Sequence, residues 1–126
     1  KKTTLYSSNG VSTPTQWAGL AAMQLDTVVI EHNKTEYLRR RDLLVSGLNE
    51  LGFTCENPAG AFYAFPDVSR ISLDSREAAE ILLNTAQVAA VPGIVFGKHG
   101  EGHLRFSFST SIETIEAGLD SLRRNL

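Results

Sequence analysis

Two periodicities of hydrophobic residues divide the chain into helical and extended stretches. Apolar positions that recur every three to four residues predict four helices, over about 14–25, 28–51, 75–86 and 111–124. β-Branched or aromatic runs bounded by glycine and proline predict three strands, over about 61–65, 88–91 and 104–108. The order of these elements predicts an α/β fold in which helices cover a small sheet and form two layers with it.

Local signals mark the ends of the predicted helices. Three residue pairs have the spacing of a capping box: Thr13 with Gln16, Asp74 with Glu77, and Thr110 with Glu113. A polar break at 25–27 separates the first helix from the second, and Gly52 ends the second helix. We therefore expect a helical segment to begin directly after each capping residue.

Alternation along the strand 104–108 decides where Arg105 points. Leu104, Phe106 and Phe108 share one face, which must be the core face because all three are apolar. Arg105 lies on the other face, where its planar guanidinium can bind a carboxylate through two parallel hydrogen bonds. A surface salt bridge is the alternative role for a lone arginine on a strand.

Other combinations of reactive residues lack a required element. Gly93, Gly97 and Lys98 resemble a phosphate-binding P-loop, but three residues separate the glycines where four are needed, and His99 follows the lysine where the motif has Ser or Thr. The chain also contains no Gly-x-Ser-x-Gly elbow of a hydrolase. The sequence therefore supports neither phosphate binding of this kind nor serine hydrolysis.

A zinc site is a further alternative, since His99 and His103 flank Glu101. Gly100 and Gly102 disfavour the helix that would bring these side chains together, and no third ligand stands nearby. We therefore expect no metal site.

Charge and composition weigh against two classes of partner. The formal net charge of −2 gives no electrostatic footprint for nucleic acid or an anionic membrane. No stretch has the roughly 18 consecutive apolar residues of a membrane span.

The basic run 39–41 lies between Glu36 and Asp42, so we expect a solvated helix face. The aromatic strand 62–65 has no basic neighbours, which favours core packing over a platform for RNA bases.

The chain has one cysteine, Cys55, which cannot form an intramolecular disulfide. A cysteine without a disulfide partner favours a reducing compartment, and we expect the cytoplasm. We expect Cys55 to be a small buried apolar residue rather than a nucleophile.

Three ordered motifs carry a family resemblance. The stretch 58–66 reads PAGAFYAFP, 91–97 reads VPGIVFG, and 100–111 reads GEGHLRFSFSTS. Together with RRRD at 39–42, they resemble the C-terminal part of class I (fold-type I) aminotransferases, enzymes that depend on pyridoxal phosphate. The resemblance is closest to the aspartate aminotransferase branch and covers essentially the whole chain.

The resemblance implies a domain organisation and a role for one residue. Residues 14–126 would form the C-terminal small domain, and residues 1–13 the end of the large cofactor domain or the segment between the domains. Arg105 matches the residue that binds the substrate α-carboxylate. The lysine that carries pyridoxal phosphate lies upstream in the family, so the resemblance implies no catalytic or cofactor-binding residue in this chain and no covalent cofactor adduct.

The implied activity belongs to a longer protein. That protein would transfer an amino group between an L-amino acid and a 2-oxo acid, with the large domain on the same polypeptide and a second subunit completing a homodimer. We expect the chain alone to be inactive. Two alternatives stay open: a standalone binding module for small carboxylates, and an interaction domain whose first helix docks a partner.

Overall fold

The computed structural model describes residues 10–126. These residues divide into two compact units, one up to Asn33 and one from Lys34 to Leu126. Helix α1 spans Thr13–Met23 and helix α2 spans Thr27–Glu50, so the predicted break at 25–27 is confirmed. Residues 1–9, most of the segment 1–13 that the resemblance assigns to the end of the large domain or to the interdomain segment, lie outside the described residues.

Helix α1 is apolar on all sides. Trp17, Leu20 and Met23 are exposed, and the described part of the chain buries no residue of this helix. A helix that is apolar all round is usually buried in a larger protein. None of the helices among residues 10–126 combines the length and the apolar composition of a bilayer span.

The unit from Lys34 onwards contains a three-stranded antiparallel sheet flanked by helices. Its strands are β1 (Tyr63–Ala64), β2 (Val91–Pro92) and β3 (Leu104–Ser107), in the spatial order β1-β3-β2. Its remaining helices are α3 (Ser75–Ala86) and α4 (Ile112–Asn125). The predicted α/β fold with helices covering a small sheet is confirmed, and the predicted helix bounds are correct to within two residues.

Each strand is shorter than predicted, and the backbone shows why. Ala61 has a φ of 62°, outside the extended region, so β1 cannot begin there. Gln87 has a φ of 56° and ends α3 in the left-handed conformation, and residues 88–90 form no ladder before β2 begins. Strand β3 ends at Ser107, although the N–H of the next residue still donates to the carbonyl of Phe62 at 3.0 Å.

Two of the predicted caps are wrong by one residue. The N-cap of α1 is Ser12 rather than Thr13, because the N–H of Gln16 already donates to the carbonyl of Ser12. The N-cap of α4 is Ser111 rather than Thr110, and its hydroxyl accepts a hydrogen bond from the N–H three residues on. In both helices the N-cap is set by where the first hydrogen-bonded turn begins. The spacing of the residue pairs in the sequence does not identify that position.

The predicted cap of α3 is confirmed, with one addition. Asp74 is the N-cap and accepts hydrogen bonds from the N–H groups of Arg76 and Glu77. The return bond of the capping box runs through Ser72, whose hydroxyl accepts from the N–H of Asp74 and donates to the Glu77 carboxylate at 2.6 Å. Ser72 thus accepts from the N–H of Asp74, the donor that Glu77 would bind directly in a standard capping box.

The basic run on α2 is not the solvated face that was expected. Arg39 is exposed, but Arg40 lies over the ring of Tyr37 at 5.4 Å, and its Nε is buried. Arg41 donates to the carbonyl of Pro58 at 3.3 Å. The prediction failed because the loop before β1 packs on this face of the helix, a contact that spacing along α2 does not reveal.

The core lies between the sheet and the helices. Fully buried leucines come from α2, α3, β3 and α4, namely Leu48, Leu82, Leu104 and Leu122. Cys55 is also buried, as predicted, and this burial raises the pKa of its thiol. The sheet is therefore held against a packed apolar layer on one face, and its other face lies outside the core.

Candidate functional site

Arg105 lies on the central strand, on the face opposite the core. Strand β3 pairs with β1 on one side and β2 on the other, and Arg105 is directly opposite Val91. Its neighbours Leu104 and Phe106 are buried whereas Arg105 is half-buried, which confirms the predicted alternation. Because β3 is hydrogen-bonded on both sides, the guanidinium projects from a rigid base.

The guanidinium of Arg105 lies over two aromatic rings. Its central carbon is 4.2 Å from the ring centroid of Tyr63 and 5.0 Å from that of Phe96. Both distances are within the roughly 6 Å at which a cation is attracted to a ring face. Within residues 34–126, the side chain of Arg105 donates no hydrogen bond and forms no ion pair. Its N–H groups can therefore bind an external carboxylate.

Further aromatic side chains surround these two rings, and we call the set Phe62, Tyr63, Phe65, Phe96 and His103 the aromatic cluster. The rings of Phe62 and Tyr63 are 4.4 Å apart, and those of Phe65 and Phe96 meet edge to face at 6.0 Å. Phe65 also stacks on His103 at 5.2 Å. Phe62 and Phe65 are 40% and 41% exposed, so the expected core packing of this strand is wrong for both residues. Phe65 packs on Phe96 and His103 instead, and Phe62 lies between Tyr63 and Tyr37.

Phe96 reaches the site from a turn whose backbone is tightly packed. It ends the 3₁₀ turn Gly93–Phe96, which follows β2, and a second 3₁₀ turn covers Lys98–Gly100. A side chain on Gly93 would collide with the carbonyl of Gly100 and would lie only 2.7 Å from the carbonyl oxygen of His103. The two turns can therefore approach this closely only because both contact positions are glycine.

Ser75 ties this loop to the start of α3. The N–H of Ile94 donates to the Ser75 hydroxyl at 3.2 Å, and the N–H of Ser75 donates to the Glu101 carboxylate at 2.6 Å. Hydrogen bonds from Ser75 hold the pKa of Glu101 below its usual range. The carboxylate at the helix N-terminus also interacts favourably with the helix dipole. Glu101 thus anchors the loop that carries Phe96.

The zinc alternative has no set of ligands among residues 10–126. No group of three potential metal ligands lies close together there, and His103 Nδ1 lies 3.0 Å from the backbone carbonyl oxygen of Glu101. Lys34 and Lys98 are the lysines of the described part, and both are exposed. A lysine that carries a cofactor as a Schiff base is normally activated by desolvation or a neighbouring cation, so these two do not fit pyridoxal phosphate.

Comparison with known proteins agrees with the motif resemblance. The profile of the family described as "Aminotransferase class I and II" matches residues 2–122. The chain belongs to this family.

Individual relatives within the family are similar over most of the chain. An aspartate aminotransferase of Pyrococcus abyssi is 43% identical over 97 residues, which are 77% of this chain and 25% of that protein. The crystal structure of an aromatic aminotransferase from Pyrococcus horikoshii OT3 matches with a TM-score of 0.91 and 37% identity, over 98% of this chain and 33% of that one. An aspartate aminotransferase from Thermus thermophilus with maleate matches with a TM-score of 0.89 and 39% identity, over 99% of this chain and 33% of that one. The chain spans about a quarter to a third of the length of these aminotransferases.

The sequence predicted the face of the sheet on which Arg105 lies, but not the residues that surround it. Tyr63 and Phe96 both fall within motifs of the family resemblance, yet nothing in those motifs indicated contact with the guanidinium. Alternation and strand order could have placed Tyr63 next to β3. Phe96 lies in a 3₁₀ turn, where neither the helical nor the strand period applies, so the sequence offered no signal for its direction.

Proposed function

We propose that this chain is the C-terminal third of a pyridoxal-phosphate-dependent enzyme that transfers an amino group between an L-amino acid and a 2-oxo acid. Membership of the aminotransferase family supports the reaction class, and the partial coverage of its relatives supports a longer polypeptide. In that enzyme, pyridoxal phosphate would supply an electron sink, while the protein supplies binding and orientation. We further propose a cytoplasmic homodimer.

Within this enzyme, Arg105 binds the α-carboxylate of the substrate. The observation that carries this role is a guanidinium on the central strand, over two rings, with no ion pair inside residues 34–126. Arginine can meet a carboxylate with two parallel N–H donors, which fixes orientation as well as charge. The Thermus thermophilus enzyme of similar fold was crystallised with maleate, a dicarboxylate, which agrees with a carboxylate ligand.

Residues 14–126 act as the substrate-binding small domain, and the chain alone carries out no transfer. Its residues bind and orient the carboxylate, and the group that holds the cofactor is contributed from upstream. The apolar helix α1, which buries no residue within the described part, supports a partner in the rest of the polypeptide or in the second subunit. Trp17, which is 66% exposed, is the largest side chain that such a partner would cover.

The test is Arg105→Lys in the complete enzyme, which keeps the charge but removes the fork of donors. A hydrogen bond to a charged group contributes on the order of 1.5–3 kcal/mol, so kcat/KM for an amino acid is expected to fall about one to two decades. The matched amine, which has no carboxylate, should react at the wild-type rate. Arg76→Lys, at an exposed arginine of the same unit, serves as the control. Equal losses on the amino acid and the amine would contradict the carboxylate role.

A further inference from the structure

A carboxylate-binding arginine needs a fixed direction, and its side chain does not provide one by itself. A free arginine side chain carries about 2 kcal/mol of rotamer entropy, which binding would have to overcome. An acidic partner would fix the side chain but would also occupy the donors that the substrate requires. Arg105 has no such partner within residues 34–126, yet it lies over the rings of Tyr63 and Phe96.

We propose that Tyr63 and Phe96 are positioning residues that hold the guanidinium of Arg105 ready for the substrate carboxylate. This role rests on the carboxylate binding proposed above. An aromatic ring attracts the cation through its π face and accepts no conventional hydrogen bond. The two rings therefore restrain the guanidinium without competing for its N–H donors, which the carboxylate binds in their own plane.

The ring of Tyr63 is supported by strand pairing and by a neighbouring ring. Tyr63 is part of β1, whose ladder to β3 places it opposite Ser107, two residues from Arg105, and Phe62 packs against it at 4.4 Å. Strand pairing therefore fixes the backbone of Tyr63 relative to that of Arg105, so its ring does not depend on a flexible loop.

Phe96 is supported by a different set of contacts. Phe65 meets its ring edge to face at 6.0 Å, with an interplanar angle of 80°, a favourable aromatic geometry. The turn that carries Phe96 is bonded to the buried Ser75 through Ile94 and is closed by the contact between Gly93 and Gly100. Phe96 nevertheless remains 52% exposed, more than core packing would allow. A ring that is held firmly at a largely exposed position is better explained by its contact with Arg105 than by packing in the core.

The experiment uses the complete enzyme and the ratio of kcat/KM for an amino acid to kcat/KM for the matched amine. Phe96→Leu and Tyr63→Leu remove a ring and keep apolar bulk, whereas Phe96→Tyr and Tyr63→Phe keep the ring. Each Leu variant is expected to lower the ratio about two- to tenfold, mainly by raising KM for the amino acid. This size of effect corresponds to the strength of exposed to partly desolvated cation–π contacts. The variants that keep the ring should restore the wild-type ratio.

Phe53→Leu provides a matched control, because it removes the ring beneath a different arginine, Arg70, at 5.4 Å. It is expected to lower stability and to leave the ratio unchanged. Since the ratio compares two substrates on one preparation, partial unfolding cancels from it. If Tyr63→Leu does not fold, Phe96→Leu at its half-exposed position still decides the matter.

A double-mutant cycle separates this inference from the proposed function. If the rings act through Arg105, Phe96→Leu should change the ratio less than twofold once Arg105 is already lysine. An undiminished effect in that background would overturn the positioning role while leaving carboxylate binding intact, and so would a wild-type ratio in both Leu variants. If Arg105→Lys itself fails to discriminate between the substrates, the carboxylate role of Arg105 falls, and the positioning role with it.

Discussion

Gly93 and Gly100 contact each other backbone to backbone, so that a methyl group on either would overlap the carbonyl of the other. This contact joins the two 3₁₀ turns that follow β2 and holds the loop from which Phe96 extends. The N–H of Gly93 also donates to the carbonyl of His103 at 2.9 Å, which connects the turn to the residue before β3. Gly93 therefore cannot move away from Gly100 without breaking its hydrogen bond to His103.

Replacing Gly100 by alanine is therefore expected to destabilise the chain. The new methyl group would meet backbone rather than a flexible side chain, and overpacking of this kind costs about 1–3 kcal/mol. Thermal unfolding should show a melting temperature lower by several degrees. Gly118→Ala is the control, since a Cβ at this position of α4 has no neighbour within 4 Å. It should stabilise the helix by about 0.5–1 kcal/mol, and an equal loss in both variants would contradict the proposed clash.

Glu101 should make stability depend on acid pH. Its pKa is lowered in the folded state by hydrogen bonds from Ser75, so its contribution is fully present above the unfolded pKa of about 4.3 and is lost as pH falls through the folded pKa. Glu101→Gln should lower the melting temperature near neutral pH, and the difference from wild type should close below about pH 4. Glu80→Gln, at an exposed position of α3, is the control. A difference that persists unchanged in acid would argue against this role of the carboxylate.

Cys55 should react slowly with thiol reagents in the folded chain. It is buried, and the resulting rise in its pKa reduces the thiolate fraction that attacks the reagent. Asn49 further restrains this segment, because its side chain bonds both the N–H and the carbonyl of Cys55 at 2.9 Å. Labelling with and without denaturant measures the protection. Thr54→Cys combined with Cys55→Ala places a thiol at the exposed neighbouring position and should label rapidly. Equal rates for the two thiols in the native state would contradict the prediction.

The isolated chain should form no covalent adduct with pyridoxal phosphate at a single site. Of its four lysines, Lys34 and Lys98 are exposed, and Lys1 and Lys2 lie outside the described residues. Incubation with the cofactor, borohydride reduction and peptide mapping should give only scattered labelling well below one equivalent. Free lysine in excess serves as a competitor for non-specific reaction. Stoichiometric labelling of one lysine that resists this competition would overturn the prediction.

The sequence predicted the helices and the face of the sheet on which Arg105 lies, because local rules govern both. Capping residues and Gly52 lie within a turn of the helix ends that they mark, and alternation on β3 needs only the apolar neighbours of Arg105. The strand lengths were predicted less well, because Ala61 has a positive φ at the start of the predicted strand 61–65 and residues 88–90 form no ladder after α3 ends.

The surroundings of Arg105 depend on contacts between distant parts of the chain. Phe65 stacks on His103, which lies 38 positions further along the chain. The position of Phe96 depends on the backbone contact between Gly93 and Gly100. From the sequence, an apolar aromatic residue in a strand is expected to lie in the core. Its contacts with distant parts of the chain cannot be read from the alternation of the strand itself. For this reason Phe62 and Phe65 were assigned to the core and are exposed instead.

The outer strands of the sheet limit how copies of this chain can associate. Strand β2 lies at one edge and ends in Pro92, which has no N–H to offer to a further strand. Strand β1, at the other edge, is two residues long and is followed by Pro66. Short edges that carry proline are the means by which natural sheets resist edge-to-edge aggregation. Self-association of this unit through a continuous intermolecular sheet, the route to fibrils, is therefore disfavoured at both edges.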